Sequence, residues 1–252
     1  MNEILQVAMF AGQVILENGG ETYRVEETIW RICKIYGADE AESFATPTGI
    51  MASICHQGKT YSLTRRVSNR TVNLDKIDKV NDLSRSIHSK KLSVSDFKRE
   101  LDKINNLNTY SFLIVILFSG LAAGSFSILF GGNFKDAFSA FLIGLVIKGL
   151  ALKWSDVGIN TFFINSICGG ITALLAIIFF KLGISSQINQ TIIGSIMLLV
   201  PGLAITNAIR DTMSGDLLSG IIRASEAFLV AISIAVGTGA VLSFWISNLG
   251  GV

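Results

Sequence analysis

The chain has 252 residues, of which half are hydrophobic and 16% charged, with a formal charge of +2 and a mean hydropathy of +0.53. This apolarity exceeds that of a soluble domain, and the near-balanced charge excludes the basic excess of a nucleic-acid binder. The charges are also confined: residues 1–109 hold 15 of the 21 Lys and Arg and 14 of the 19 Asp and Glu, so the sequence divides near Tyr110 into a charged half and an apolar half.

Residues 3–18 read as a helix stopped by Asn18-Gly19-Gly20. That opening stretch carries Glu3 and Glu17 and no Lys or Arg, unlike the basic start of a signal peptide, which places the N-terminus in the cytoplasm. A second helix is predicted over Thr22–Tyr36, with Val25, Ile29, Ile32, Cys33 and Tyr36 on one face. The period then changes. The β-rich runs Gly49–Cys55 and Thr60–Val67 flank His56-Gln57-Gly58-Lys59, which is a hairpin signal. Two further helices, Leu74–Lys90 and Val94–Asn106, carry apolar stripes (Ile77, Val80, Ile87; Phe97, Leu101, Ile104). The first 109 residues thus form a small cytoplasmic α+β domain.

Little in that domain points to catalysis. Its candidate groups are Glu21, Tyr23, Arg24, Ser53, Cys55 and His56, but Cys55 and His56 are strand neighbours whose side chains point to opposite faces. No nucleophile elbow or phosphate loop appears. Glu21-Thr22-Tyr23-Arg24 is a polar cluster at a helix start, read first as a cap and a surface ion pair and second as a binding site. The three cysteines (Cys33, Cys55, Cys168) stand far apart and only His56 and His88 could join them, so no metal or cofactor is expected and the chain is not read as an enzyme.

Residues 110–252 read as an α-helical membrane domain. A crossing needs roughly 20 apolar residues, and about five stretches qualify: 111–130, 134–152, 158–180, 187–207 and 224–247. With the N-terminus inside, the short cytoplasmic loops carry Lys148, Lys153, Arg210 and Arg223 against Lys135 and Lys181 outside, which satisfies the positive-inside bias and leaves the C-terminus outside. The expected location is a bacterial inner membrane. Small residues recur within the spans (Gly120, Gly124, Gly144, Gly169, Gly170, Gly237), as close helix packing requires, and such faces also suit pairing between copies of the chain.

A transporter site is expected where a helix breaks and intramembrane polar groups gather. Pro201 removes a backbone donor and Gly202 loosens the chain, so the fourth span is expected to break there. Thr206, Asn207, Arg210, Asp211 and Asp216 follow, then Arg223 and Glu226 at the mouth of the fifth span, while Asn165 sits near the cytoplasmic end of the third. Gly202, Thr206, Asn207, Arg210 and Asn165 are the candidates for substrate contact, with Arg210 facing a carboxylate. Asp211, Asp216 and Glu226 are the candidates for proton coupling, because ion-coupled transport needs a titratable group. The bland reading is that these charges line a loop and anchor helix ends.

Three stretches resemble the threonine/serine exporters: Gly20-Glu21-Thr22-Tyr23-Arg24-Val25-Glu26, Ala123–Gly132, and Pro201-Gly202 through Thr206, Asn207, Arg210, Asp211, Gly215 and Asp216, with Gly220, Arg223 and Glu226 beyond. The resemblance covers nearly the whole chain. It implies a secondary transporter that exports threonine and serine by proton antiport; some relatives are implicated in dicarboxylate (succinate) export instead. Fused members carry a second hydrophobic half, whereas this sequence stops at Val252, so the resemblance implies the larger component of a split exporter whose partner is a small all-helical membrane protein. A membrane-tethered hydrolase or regulatory subunit is the alternative of a different class.

Overall fold

The computed structural model describes residues 1–107 and 110–249; the domain boundary expected at 109/110 and the C-terminal residue Val252 lie outside the described residues. The chain is mostly helical with one small sheet, and it forms two compact units: Met1–Asn108 with Gly202–Ser225, and Thr109–Pro201 with Glu226–Val252. Gly202–Ser225, assigned to the apolar half by its hydropathy, therefore groups with the charged residues.

In the first unit, α1 (Asn2–Glu17) is buried almost all round, with Leu5, Ala8, Met9, Ala11, Val14 and Ile15 fully covered. It packs against α2 (Thr22–Ile35), the sheet, α3 (Leu74–Lys90) and α4 (Val94–Asn105). A helix apolar on every face belongs at the centre of a core. α2 turns Val25, Ile29, Ile32 and Cys33 inward, as its periodicity predicts. Asn73 and Ser93 cap α3 and α4 by accepting from the backbone N–H three residues on.

The sheet is an antiparallel meander of β1 (Glu40–Thr46), β2 (Gly49–His56) and β3 (Lys59–Arg66). Gln57 (φ 51°) and Gly58 (φ 73°) form the two-residue turn between β2 and β3, both in the left-handed region that such a hairpin demands. Ala41, Ala45, Ile50, Ala52 and Ile54 face the core. β1 was not evident in the sequence.

The last pieces of this unit are α9 (Gly202–Met213) and the start of α10 (Leu217–Leu249). Gly215 (φ +92°) terminates α9, with the Asp216 N–H donating to the Asp211 carbonyl at 2.9 Å. A Cβ on Gly220 would meet the Ala208 carbonyl oxygen at 3.1 Å, so the two helices cross tightly.

The second unit contains α5 (Phe112–Leu129), α6 (Phe134–Asp156), α7 (Thr161–Lys181), α8 (Ile188–Ile196) and the rest of α10. Among the described residues, four helices are long and apolar enough to cross a membrane: α5, α6, α7 and α10. The stretch read as the remaining span is two helices, because α8 stops at Ile196 and Pro201 precedes the first residue of α9. Nine residues at about 1.5 Å each reach about 14 Å, half of a hydrocarbon core. The glycines are close-packing points: Cβ atoms on Gly144 and Gly194 would lie 2.8 Å from Ala123 Cβ and 2.7 Å from the Ser127 backbone N. Asp136 braces this unit. Fully buried, it accepts from Ser185 Oγ (3.0 Å) and from the N–H groups of Ser186 (2.7 Å), Gln187 (2.8 Å) and Asn133 (3.0 Å), which joins the starts of α6 and α8.

Candidate functional site

Two polar stretches nearly two hundred residues apart in sequence meet inside the first unit. The first is the Gly19–Arg24 corner. α1 ends with Gly19 at φ +93°, and the Gly20 N–H donates to the Ile15 carbonyl at 2.9 Å. A Cβ on Gly20 would press on that carbonyl oxygen at 3.0 Å. This tight stop turns the carbonyls of Gly19 and Gly20, and the first turn of α2, toward α9 and α10. Glu21 stands at the N-cap position of α2 without capping through its side chain, which corrects the cap reading.

The second stretch supplies Asn207, Arg210 and Asp211 from α9, Asp216 from the turn, and Arg223 from α10. Asn207 is buried and donates to the Gly19 carbonyl at 2.8 Å. Arg223 is buried and donates to the Gly20 carbonyl at 2.7 Å, with its Nε 2.9 Å from Asp211 Oδ2. Arg210 Nη1 lies 2.6 Å from Glu21 Oε1, while Arg24 Nε holds the other oxygen at 3.0 Å.

Thr22 is the centre of the arrangement. Its N–H and hydroxyl reach Asp211 Oδ1 at 3.2 and 3.0 Å, and the same hydroxyl reaches Asp216 Oδ2 at 2.9 Å. A hydroxyl carries one hydrogen. Two ionised carboxylates therefore compete for one donor, and a proton on either satisfies both. Their surroundings divide the pair. Burial pushes the Asp211 carboxyl up despite Arg223 and Thr22, and the Asp216 charge adds to the rise. Burial acts the same way on Asp216, but hydrogen bonds from Ser219 and Thr22 outweigh it and hold this carboxyl below its ordinary value.

Glu26, one turn along α2 from Thr22, adds a third carboxyl. It accepts from the Ala45 N–H at 2.8 Å, and burial together with the Asp216 and Asp211 charges raises it. For Glu21, burial is overcome by its own N–H, Arg210 and Arg24, and the carboxyl is held low.

The sequence candidates thus separate. Asn207, Arg210, Asp211 and Asp216 come together. Thr206 is exposed and bonds its own helix, to the Gly202 carbonyl at 2.9 Å. Gly202 is exposed, with open space where a Cβ would stand. Asn165 and Glu226 belong to the second unit; Asn165 is buried there beside a cavity of about 250 Å³. The sequence marks Glu21 and Thr22 only as part of a polar helix start, places Arg223 among the polar residues after the break without an assigned role, and gives Glu26 no role at all. The polar Glu21–Arg24 cluster was the local signal for Glu21 and Thr22. No group of three or more metal-ligating side chains occurs among the described residues.

A family model described as "Putative threonine/serine exporter" matches residues 6–245. The chain is 25% identical over 239 residues to "Probable succinate transporter subunit YjjP" of Klebsiella aerogenes, covering 92% of this chain and 90% of that protein. To the protein of the same description from Escherichia coli it is 25% identical over 249 residues, covering 96% and 94%. To "Threonine/serine exporter" of Corynebacterium glutamicum it is 22% identical over 244 residues, covering 94% of this chain and 50% of that protein, so it spans half of that relative's length. No solved structure matches the chain.

Proposed function

Since the chain belongs to the threonine/serine exporter family, we propose that it is the larger membrane component of a proton-coupled exporter of threonine and serine. The observation that carries the coupling is the single Thr22 hydroxyl within reach of both Asp211 and Asp216. Paired carboxyls whose environments push their proton affinities apart let one of them bind and release a proton while the other stays ionised. In this reading Asp211 carries the proton, Asp216 is its ionised companion, and Glu226 is a further candidate for the coupling. Arg210 receives the substrate carboxylate in competition with Glu21, and Gly202, Thr206 and Asn207 in the first unit and Asn165 in the second are the further candidates for substrate contact.

The chain crosses a bacterial inner membrane five times in this reading, with the N-terminus cytoplasmic and the C-terminus outside. α5, α6, α7 and α10 supply four crossings, and the interrupted segment 187–207 supplies the fifth, as broken helices do in secondary transporters. The basic residues nearest the span ends, Lys153, Arg210 and Arg223 against Lys135 and Lys181, support that orientation. A partner is supported by the word "subunit" in the relatives matched over nearly their whole length; a small all-helical membrane protein fits that role.

Succinate is the second reading of the substrate, because those same relatives are described as succinate transporter subunits. Cells expressing the chain with the small membrane protein encoded beside it, loaded with threonine, serine or succinate, decide between the two. Threonine efflux that requires both chains and stops when a protonophore collapses the gradient supports the first reading. Succinate efflux alone replaces it, and efflux of none removes the export reading.

A further inference from the structure

The second unit holds a cavity of about 250 Å³ between α6, α7, the stretch following α8, and α10, lined by Lys148, Thr161, Asn165, Leu198, Pro201 and Val230 among others. That is smaller than the roughly 300–1,000 Å³ that drug-sized ligands occupy and suits a metabolite of a few heavy atoms. Its walls are mostly apolar, and two polar side chains stand out. Asn165 is 8% exposed, and Lys148 is half-buried on α6, one of the helices of membrane-crossing length. Among the described residues neither side chain has a hydrogen-bond or ion-pair partner. α6 and α7 are held together at this level, where Cys168 Sγ lies 3.8 Å from the Ile147 carbonyl oxygen.

An ammonium on a membrane helix is costly without a counter-charge, and a buried amide is costly without a partner. Snorkelling relieves a lysine near a helix end, but it does nothing for Asn165. A ligand with one carboxylate and a further polar group satisfies both. From this convergence we propose that the cavity is a substrate subsite, in which Lys148 pairs with a carboxylate and Asn165 hydrogen-bonds the ligand's second polar group. The ligand class is a small carboxylate metabolite, a description that fits both a hydroxy amino acid and a dicarboxylate. The inference rests on the export reading and adds to it a second station for the cargo's carboxylate, distinct from the one assigned to Arg210.

Efflux of threonine and of succinate is compared in loaded cells carrying the partner subunit and either the parent chain, Lys148→Gln or Lys148→Arg. Membrane abundance and melting temperature of each variant serve as folding controls. The expected result is a fall of at least about tenfold in Lys148→Gln for whichever carboxylate the parent exports, with Lys148→Arg retaining most of the activity. On the purified parent, that carboxylate raises the melting temperature and threoninol, which has no carboxylate, does not; in Lys148→Gln the rise is lost. Parent-level efflux by Lys148→Gln, or stabilisation by threoninol equal to that by threonine, overturns the cavity assignment while export stands. A parent that exports neither compound overturns the export reading and this inference together.

Discussion

Arg223 Nε lies 2.9 Å from Asp211 Oδ2, and the two side chains are 6% and 0% exposed. Each charge is tolerable because of the other, and each also serves the Gly20–Thr22 corner, Arg223 at the Gly20 carbonyl and Asp211 at the Thr22 N–H. Removing one partner of a buried pair leaves an uncompensated charge and typically costs about 3–5 kcal/mol, whereas replacing both with apolar groups is often close to neutral. Asp211→Leu is therefore expected to lower the melting temperature in detergent strongly. Asp211→Leu with Arg223→Met removes the stranded charge and is expected to recover part of the loss, because the Gly20 carbonyl and the Thr22 N–H still lack their side-chain partners, while remaining unable to couple protons. Equal melting temperatures for parent and Asp211→Leu would show that the pair does not hold this unit together.

Glu26 gives the site a pH signature of definite sign. Its carboxyl is raised above the ordinary 4.5 by burial, against the Ala45 N–H and with help from the Asp216 and Asp211 charges. The fold thus favours the protonated form. That contribution to stability is complete below the ordinary value and is lost as pH rises through the raised one. Glu26→Gln keeps an acceptor for Ala45 without the charge. It should melt higher than the parent at neutral pH, and the difference should vanish in acid below the ordinary carboxylate value. A difference independent of pH would assign the effect to packing instead.

The helices of the charged half were legible because each carries its own punctuation. Asn18-Gly19-Gly20 stops α1, and apolar spacing marks the inward faces of α2, α3 and α4. β1 was not legible: its inward positions include only the small residues Ala41 and Ala45, too weak an alternation to register. The site itself was half legible. Its α9–α10 members stand out as polar residues after a Pro-Gly break, and the Glu21–Arg24 corner stands out as a polar helix start. No local pattern says that Thr22 meets Asp211, a contact between residues 189 apart in sequence. Nor does hydropathy reveal Asp136, whose four donors include three from Ser185-Ser186-Gln187, a stretch that reads as a polar membrane interface.

Asn207 and Thr206 are neighbours on α9 with different expected behaviour. Asn207 is 2% exposed and serves the Gly19 carbonyl; Asn207→Ala leaves that acceptor without its side-chain donor and should cost about 1–3 kcal/mol. Thr206 is exposed and its hydroxyl bonds only its own helix, so Thr206→Ala should change stability by no more than about 0.5 kcal/mol. Melting temperature and efflux measured on the same preparations separate scaffold from substrate contact. A Thr206→Ala chain that melts with the parent but exports poorly marks a contact with cargo, and one that exports normally removes Thr206 from the substrate path.

The glycines of the second unit test where its surfaces are already occupied. A Cβ on Gly194 would sit 2.7 Å from the Ser127 backbone N and 2.8 Å from the Ala123 carbonyl oxygen, neither of which can move without shifting α5. Gly194→Ala is thus an overpacking change, expected to cost about 1–3 kcal/mol and to lower the folded yield. Gly239, inside α10, has open space around the same added atom. There alanine brings only its better helix propensity, up to about 1 kcal/mol in favour of the substituted chain. Gly239→Ala is expected to raise the melting temperature of the isolated chain. Measured again with the partner subunit present, a gain that persists leaves this face of α10 to lipid. A gain that turns into a loss of assembly or efflux places the partner's helix against Gly239, where a bare glycine allows backbones to approach closely.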